Sequence, residues 1–354
     1  MSLLFKPITV GALHLPNRIV MAPLTRSRAT ADARVPVPMM AEYYSQRATA
    51  GLIISEATVV DRMGVGYEAT PGIWTDEQID GWKSVTEAVH KAGGRIFLQL
   101  WHVGRISDPS LLHGHPPVSA SAIAAKGYVS LLRPQRPYPL PRALETREIP
   151  GIIAAFRKGA TNAKAAGFDG VEIHGANGYL LDQFLQDSSN RRTDAYGGTR
   201  EKRARLLLEV TDAVAEVWGA DRVGMHLAPR ADAHDMGDSD RLATFTYVAR
   251  ELGKRHIAFI CAREARLQDS IGPRIREAFA GVYVVNENFT LETAEQALVD
   301  GVADAVAFGK LFIANPDLVS RFAQNASLNP WDEQTFYGGG AKGYIDYPTL
   351  PETA

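Results

Sequence analysis

Residues 171–179 read VEIHGANGY, so that a short run of β-forming residues leads directly into a His, an Asn and a Tyr. If the run is a strand ending near His174, then His174, Asn177 and Tyr179 leave from its end and from the loop after it. In a barrel of parallel strands, catalytic groups collect at this edge. Two neighbouring hydrogen-bond donors can hold a carbonyl or nitro oxygen, and a phenol can deliver a proton. In the alternative interpretation, His174 and Asn177 cap the next helix and Tyr179 packs in the core.

Similar short runs recur along the chain, and segments with a helical pattern follow most of them. Strands are predicted at residues 18–22, 52–56, 95–100, 170–174, 223–227, 257–261, 282–285 and 305–308. These runs are largely apolar rather than alternating, which is typical of strands covered on both faces. Helices are predicted at residues 75–92, 149–166, 200–218 and 291–300. Alternating strands and helices predict a parallel sheet, and eight such units predict an α/β fold built on a single (β/α)8 TIM barrel.

Two segments lie outside this repeat. Residues 4–16 (LFKPITVGALHLP) predict an N-terminal hairpin with its turn at Gly11, which would plug the N-terminal end of the barrel. Residues 103–148 are rich in Pro, Gly and Ser and are too long for a simple loop, so they predict a capping insertion after the third strand. Because no linker or low-complexity tract interrupts the sequence, residues 1–354 are predicted to form one domain.

The composition argues against several classes of protein. The net charge of −2 gives no electrostatic reason to expect binding to nucleic acid or to an anionic membrane. The apolar runs are no longer than strands, and residues 1–16 do not resemble a signal peptide, so a cytoplasmic protein is expected. Cys261 is the only cysteine, which excludes an internal disulfide and a CxxC site. No metal site is predicted, because His113 and His115 lack a third ligand at a convincing spacing.

Polar residues follow the ends of most of the predicted strands. They are Thr25, Glu56, Gln99, His174, His226, Asn286 and Lys310. In a parallel barrel these ends meet in one mouth, and their amides, hydroxyls and imidazoles suit a flat heterocycle with many hydrogen-bonding edges. The loops after the last two strands of such barrels frequently bind phosphate, and Lys310 supplies a cation there. The pattern therefore indicates a phosphorylated, planar cofactor.

Eight stretches of the chain occur in the order typical of a known family. They are residues 17–26 (NRIVMAPLTR), 54–58 (ISEAT), 71–74 (PGIW), 97–102 (FLQLWH), 174–184 (HGANGYLLDQF), 192–198 (RTDAYGG), 308–318 (FGKLFIANPDL) and 343–348 (GYIDYP). Together they resemble the Old Yellow Enzyme family of FMN-dependent ene-reductases over essentially the full length. Thr25 stands where the thermophilic-like branch of that family carries Cys.

The resemblance implies an NAD(P)H-dependent flavin oxidoreductase that uses FMN as cofactor and NADPH or NADH as reductant. Its partner would be a small-molecule alkene activated by a carbonyl or nitro group, such as an enone, a nitroalkene or a maleimide, and the enzyme would be a monomer or a homodimer. Hydride would pass from the flavin N5 to the alkene while His174 and Asn177 hold the substrate oxygen, and Tyr179 would donate the proton. The implied FMN contacts are Pro23, Thr25, Ala57, Gln99, His226, Asn288, Phe289, Gly309 and Lys310. The implied substrate contacts are His174, Asn177, Tyr67, Trp101 and Tyr337.

Three positions depart from the family pattern. His226 stands where the family usually has Arg beside the flavin N1 and C2=O, and His is cationic only below about pH 6.5 unless perturbed. A shifted potential or weaker FMN retention is therefore expected, with some pH dependence, and Arg230 is the candidate replacement. Lys310 stands where Arg is common, which makes the phosphate clamp a point charge. Glu287 lies in a turn that is usually richer in Gly, so its carboxylate must point away from the phosphate.

Other functions remain open on the sequence. The same flavoprotein could act mainly on nitrate esters or nitroaromatic compounds. A flavin-free isomerase or lyase on this barrel would need Glu56 or Glu172 as its base. A non-catalytic FMN-binding redox sensor would explain the change at His226, although such a sensor needs no proton donor equivalent to Tyr179.

Overall fold

The structure is a computed structural model that describes residues 2–230, 233–265 and 267–351. Its strands are β1 (Ile8–Val10), β2 (Leu13–Leu15), β3 (Ile19–Met21), β4 (Leu52–Ile54), β5 (Thr58–Val59), β6 (Ile96–Trp101), β7 (Val118–Ser119), β8 (Arg142–Ala143), β9 (Gly170–His174), β10 (Val223–Leu227), β11 (Phe259–Arg263), β12 (Val282–Asn286) and β13 (Ala305–Phe308). Its α-helices are α1 (Pro38–Ser45), α2 (Asp76–Lys91), α3 (Ile149–Ala165), α4 (Leu180–Leu185), α5 (Arg200–Trp218), α6 (Arg241–Lys254), α7 (Gly272–Phe279), α8 (Leu291–Val299), α9 (Lys310–Ala314) and α10 (Leu318–Gln324).

Eight of the described strands pair in parallel around a closed barrel, and helices run between them. The order is β3, β4, β6, β9, β10, β11, β12 and β13, and β13 pairs back to β3. The predicted TIM barrel is therefore confirmed. Helix α2 illustrates the local signals, because the Thr75 side chain accepts the N–H of Gln78 in a capping box at its start. No helix of the described residues combines the length and the apolar character needed to cross a bilayer.

The sixth barrel strand differs from its prediction. It was predicted at residues 257–261, whereas β11 spans Phe259–Arg263. The residues from Ile257 to Ala262 are all apolar and buried, so the hydrophobic pattern cannot determine where the strand begins or ends. Its parallel register with β10, in which Gly224 pairs with Phe259, determines both ends. The correction adds Arg263 to the carboxyl end of the strand.

The N-terminal hairpin closes the bottom of the barrel, as predicted. Strands β1 and β2 are antiparallel, and the turn between them places Gly11 at a φ of 54°. A Cβ on Gly11 would lie 1.9 Å from the carbonyl oxygen of Asp221, so only glycine fits this approach. The hairpin residues Val10, Leu13 and Leu15 pack in one cluster with inward-facing apolar residues of the barrel strands.

Two aromatic rings fill the lower part of the barrel interior. Phe97 and Phe259 have ring centroids 6.0 Å apart. Gly170 and Gly224 leave room for these rings. A Cβ on Gly170 would lie 2.2 Å from the Phe97 ring, and one on Gly224 would lie 2.2 Å from the Phe259 ring. On β6, β9 and β10 the inward-facing positions above this apolar floor include Gln99, Glu172 and His226, so these strands separate a packed base from a hydrogen-bonding mouth.

The insertion at residues 103–148 lies over that mouth. It contains the short parallel pair β7–β8 and apolar residues that form a cluster with the site side chains Tyr67 and Trp101. The insertion residues in that cluster are Val103, Ile106, Leu112, Ala125, Val129 and Tyr138. This contact confirms the predicted capping position of the segment.

Candidate active site

The loop after β9 is held in one conformation by its own sequence and by α4. Asn177 and Gly178 both have left-handed backbone conformations, with φ of 55° and 75°. Asn tolerates this region, and at Gly178 a Cβ would lie 2.7 Å from the Met236 side chain. The Asp182 carboxylate accepts the N–H of Gly178 at 2.8 Å, and the Gln183 amide donates to its carbonyl at 2.7 Å.

This loop excludes the capping interpretation of the motif. The residue at the N-cap of α4 is Tyr179, and its side chain makes no capping hydrogen bond. His174 and Asn177 precede the helix and are not its caps. The structure thus leaves the His, Asn and Tyr side chains available to the mouth of the barrel.

Four rings form a row of nearly parallel planes across this mouth. Centroid distances are 5.5 Å from Tyr67 to Trp101, 6.2 Å from Trp101 to His174 and 5.3 Å from His174 to His226. The last contact follows from the register, because His226 pairs with His174 across β10 and β9. Tyr179 stands edge-on to the first three rings, at interplanar angles of 82° to 89°.

Both imidazoles of this row are neutral donors. The His174 Nδ1 accepts the Ala176 N–H at 3.3 Å, and the Gln99 amide donates to the His226 Nδ1 at 3.1 Å. In each ring the proton is therefore on Nε2. Burial lowers the pKa of His174 well below its ordinary value and lowers that of His226 to about 3, with Arg263 as a further cause. The pH dependence expected from a charge on His226 near pH 6.5 is thus wrong.

A buried carboxyl group lies beneath these rings. Glu172 pairs in register with Gln99, whose amide donates to its carboxyl oxygen at 2.6 Å. Burial raises the pKa of Glu172 to about 8, although this hydrogen bond opposes the rise. The group is mostly protonated at pH 7. Since Gln99 gives both amide hydrogens to Glu172 and His226, its carbonyl oxygen is the atom it can offer to a bound ring.

Two tyrosine hydroxyls meet beside the row of rings. The hydroxyl oxygens of Tyr67 and Tyr179 are 2.9 Å apart. Burial raises the pKa of both phenols, and the hydrogen bond from Tyr67 partly counteracts the rise at Tyr179. Both are therefore protonated at neutral pH. Tyr337, predicted over the pocket, is 51% exposed, and its phenol is close enough to influence the pKa of both tyrosines.

The loops after β3 and β4 form one rim of the mouth. Pro23 and Thr25 are half-buried just after β3, and Ala57 is buried just after Glu56. The Arg26 N–H donates to the Glu56 carboxylate at 3.3 Å and ties the two loops together. Three of the predicted cofactor residues thus lie on adjacent loops.

The loops after β12 and β13 form the predicted phosphate side. Glu287 and Asn288 have φ of 106° and 58°, and the buried Phe289 follows them. The Glu287 carboxylate pairs with Arg263 at 2.5 Å. The exposed Lys310 ammonium lies 2.9 Å from Glu333. Exposed ion pairs contribute little, so this contact does not prevent Lys310 from turning to an anion.

Arg263 is the site residue that the sequence prediction missed. It was placed beyond the end of the sixth strand, whereas it lies at the last position of β11, facing inward like Phe259 and Cys261. Its guanidinium donates to the Asn177 side-chain oxygen at 3.0 Å. The candidate cation Arg230 is elsewhere, with its guanidinium against Asp269 and Glu264. Side chains alternate between the two faces of a strand, so Arg263 faces inward like Cys261. The sequence could have revealed this only if the end of the strand had been known.

These residues fit a phosphorylated, planar cofactor. The buried Nε2 of His226 and the buried Nε1 of Trp101 have no hydrogen-bond partner in the described structure. Unpartnered buried donors are costly, and a ring with acceptor edges would satisfy them. No group of three or more potential metal ligands occurs among the described residues.

Comparison with known proteins agrees with this geometry. The model of the NADH:flavin oxidoreductase / NADH oxidase family matches residues 3–329. The chain is 45% identical to 12-oxophytodienoate reductase 1 of Oryza sativa subsp. japonica, over 99% of the chain and 93% of that protein. It is 44% identical to a probable flavin mononucleotide-dependent alkene reductase of Leishmania infantum, over 99% of the chain and 98% of that protein.

Solved structures give the same result. Morphinone reductase in complex with tetrahydroNAD superposes with a TM-score of 0.95 at 50% identity, covering 99% of this chain and 98% of that one. The old yellow enzyme homologue from Zymomonas mobilis superposes with a TM-score of 0.96 at 46% identity, covering 98% and 99%.

Proposed function

Because the chain belongs to the NADH:flavin oxidoreductase / NADH oxidase family, we propose that it reduces the C=C bond of enones, nitroalkenes and maleimides. The resemblance to the Old Yellow Enzyme family is confirmed. The protein is an NAD(P)H-dependent flavin oxidoreductase with FMN as its cofactor. When bound, FMN carries reducing equivalents from NAD(P)H to the alkene.

The His174 imidazole beside the Tyr179 phenol is the observation that carries the proposal. The His174 Nε2–H and the Asn177 side chain hold the carbonyl or nitro oxygen of the substrate. Negative charge develops on that oxygen during reduction, and donors already in place stabilise it without reorganisation. Protonated Tyr179 lies edge-on to His174 with ring centroids 5.0 Å apart and supplies the proton to the substrate carbon.

The remaining predicted residues hold the cofactor and shape the pocket. Pro23, Thr25, Ala57, Gln99 and His226 would hold the flavin ring, and Asn288, Phe289, Gly309 and Lys310 would hold its phosphate. Trp101, Tyr67 and Tyr337 border the substrate, with Trp101 and Tyr67 held rigidly by their stacking. His226 is a neutral donor toward the ring, which is a weaker counterpart for a reduced, negatively charged flavin than a cation.

The structure disfavours a flavin-free isomerase or lyase. The only candidate bases, Glu56 and Glu172, are fully buried. Glu56 accepts hydrogen bonds from the Arg26 N–H and the Tyr44 hydroxyl, and Glu172 lies beneath Gln99. Burial raises the pKa of Glu56 to about 7 and that of Glu172 to about 8. Neither side chain is exposed to a substrate, although one oxygen of Glu172 has no hydrogen-bond partner in the described structure.

An anaerobic visible spectrum of the purified protein tests the proposal. We expect a flavin spectrum that bleaches with NADPH and returns when 2-cyclohexenone is added. A nitrate ester and a nitroaromatic compound are added in parallel. If they reoxidise the flavin and the enone does not, the proposed substrate class is wrong. A protein that stays colourless after incubation with FMN would contradict flavin chemistry.

Replacing Tyr67 with phenylalanine should slow the enone half-reaction without affecting reduction of the flavin by NADPH. The variant loses the hydrogen bond that stabilises Tyr179 when it gives up its proton. A hydrogen bond of about 1 kcal/mol corresponds to about a fivefold lower rate. Rapid-mixing measurements of the two half-reactions check this. Tyr138→Phe is the control, because Tyr138 is a buried tyrosine of the capping insertion in the same apolar cluster, and an equal loss in both variants would contradict the role of Tyr67.

Replacing His226 with arginine should raise the reduction potential of bound FMN and tighten its binding. A fixed cation stabilises the reduced, negatively charged flavin more than a neutral imidazole does. We expect an increase of about 30–60 mV, equivalent to about 1.4–2.8 kcal/mol for two electrons. Dye-equilibration titration measures the potential. His226→Gln, which keeps a neutral donor, should remain close to the parent, and a potential unchanged in His226→Arg would refute this prediction.

A further inference from the structure

Arg263 lies between the substrate side and the phosphate side of the site. Its Nη1 donates to the Asn177 Oδ1 at 3.0 Å, and its Nε donates to the Glu287 carboxylate at 2.5 Å. Because the guanidinium is rigid and planar, the contact with Glu287 fixes the direction in which Nη1 donates to Asn177. Its charge also reaches the imidazoles of His174 and His226.

The hydrogen bond from Arg263 to Asn177 determines which side-chain atom Asn177 offers to a ligand. An Asn side chain can present either its carbonyl oxygen or its NH2 group, and these have opposite polarity. Arginine has only donors, so it can bind only the oxygen of Asn177. The Asn177 NH2 group is consequently the part left for the pocket. His174 is also left with a donor for the pocket. Its Nδ1 accepts the Ala176 N–H, so its Nε2–H is the group that remains.

Glu287 has a conformation that supports this arrangement. It stands at φ 106°, a region that non-glycine residues rarely adopt. In that conformation its carboxylate reaches back to Arg263 instead of facing the phosphate loop. The ion pair is partly buried, with side-chain exposures of 36% and 28%.

We propose that Arg263 is a positioning residue that orients the Asn177 amide as a donor and adds positive charge beside the substrate oxygen. This inference rests on the proposed function, in which His174 and Asn177 hold that oxygen. The orienting effect of Arg263 requires Asn177, whereas a cation that acted through its charge alone would not.

The test is a double-mutant cycle on the FMN-loaded protein with 4-chlorophenol as the probe. In the proposed function the phenol oxygen would take the place of the substrate oxygen, and calorimetric titration gives the Kd of the phenol without turnover. We expect Arg263→Met to weaken binding about tenfold in the parent and less than threefold in an Asn177→Ala background. Arg263→Lys, which also has only donors, should restore binding to within threefold. Arg230→Met, which removes an arginine elsewhere on the same rim, should bind like the parent.

The outcomes separate the inference from the proposed function. FMN content and thermal midpoint are measured for every variant. If Arg263→Met does not fold, Arg263→Gln, which removes the charge and can offer Asn177 either polarity, takes its place, with the same weakening expected in each background as for Arg263→Met. Equal weakening by Arg263→Met in both backgrounds overturns the inference, and so does parent-like binding by that variant. If Asn177→Ala and His174→Ala both bind the phenol normally, the oxygen-holding pair of the proposed function is wrong as well.

Discussion

Replacing Tyr179 with phenylalanine is expected to slow enone reduction by about 10²–10⁴-fold, the range typical of a lost general acid. The phenol is partly buried, its hydroxyl lies 2.9 Å from that of Tyr67, and its raised pKa keeps it protonated. Phenylalanine can keep the edge-on ring packing and removes only the hydroxyl group, with its proton and its contact to Tyr67. Reduction of the flavin by NADPH needs no such proton and should stay within about twofold.

Rapid mixing under anaerobic conditions measures the two half-reactions of this variant separately. Tyr138→Phe is a matched control, because Tyr138 is a buried tyrosine of the capping insertion in the same apolar cluster. Its enone half-reaction should resemble that of the parent. Equal losses in both half-reactions of Tyr179→Phe would mean that the residue shapes the pocket and does not donate the proton.

Replacing His174 with phenylalanine should lower the rate of the enone half-reaction by about 10²–10³-fold, as expected when one oxyanion-stabilising donor is removed. The substituted ring can keep the stacking between Trp101 and His226, so the change isolates the Nε2–H donor. Because His174 is already neutral, the loss should be the same at pH 6 and pH 8.

Single-turnover rates with 2-cyclohexenone at both pH values check this second prediction. His174→Gln, which keeps an N–H donor but loses the ring, should lose less activity than His174→Phe. The reverse order would show that ring packing, rather than hydrogen bonding, is the contribution of this position. A loss confined to pH 6 would show that a charged imidazole acts instead.

Much of the site was predictable because its signals are local. The spacing of His174, Asn177 and Tyr179 already placed three polar groups at one strand end, and the structure brings His174 and Tyr179 together around Trp101. Gln99 and His226 followed from the same interpretation of strand ends. Arg263 did not, because an apolar run continues from Ile257 to Ala262 and conceals the true end of its strand.

The protonation states could not be obtained from the sequence. The sequence predicted a titrating His226 near pH 6.5, whereas burial lowers its pKa to about 3. Glu172 looked like a candidate base, whereas burial raises its pKa to about 8 and leaves it mostly protonated at pH 7. Desolvation depends on everything packed around a group, most of which is distant in sequence.

The sequence by itself determined the parallel barrel, its hairpin plug and the order of the polar strand ends, because apolar periodicity, turn residues and caps act over a few neighbouring residues. The tertiary structure alone decided that Arg263 reaches Asn177, that Tyr67 meets Tyr179, and that the two imidazoles are neutral. These features depend on strand register and on burial. Both arise only when segments separated by tens of residues pack against each other, so no local pattern encodes them.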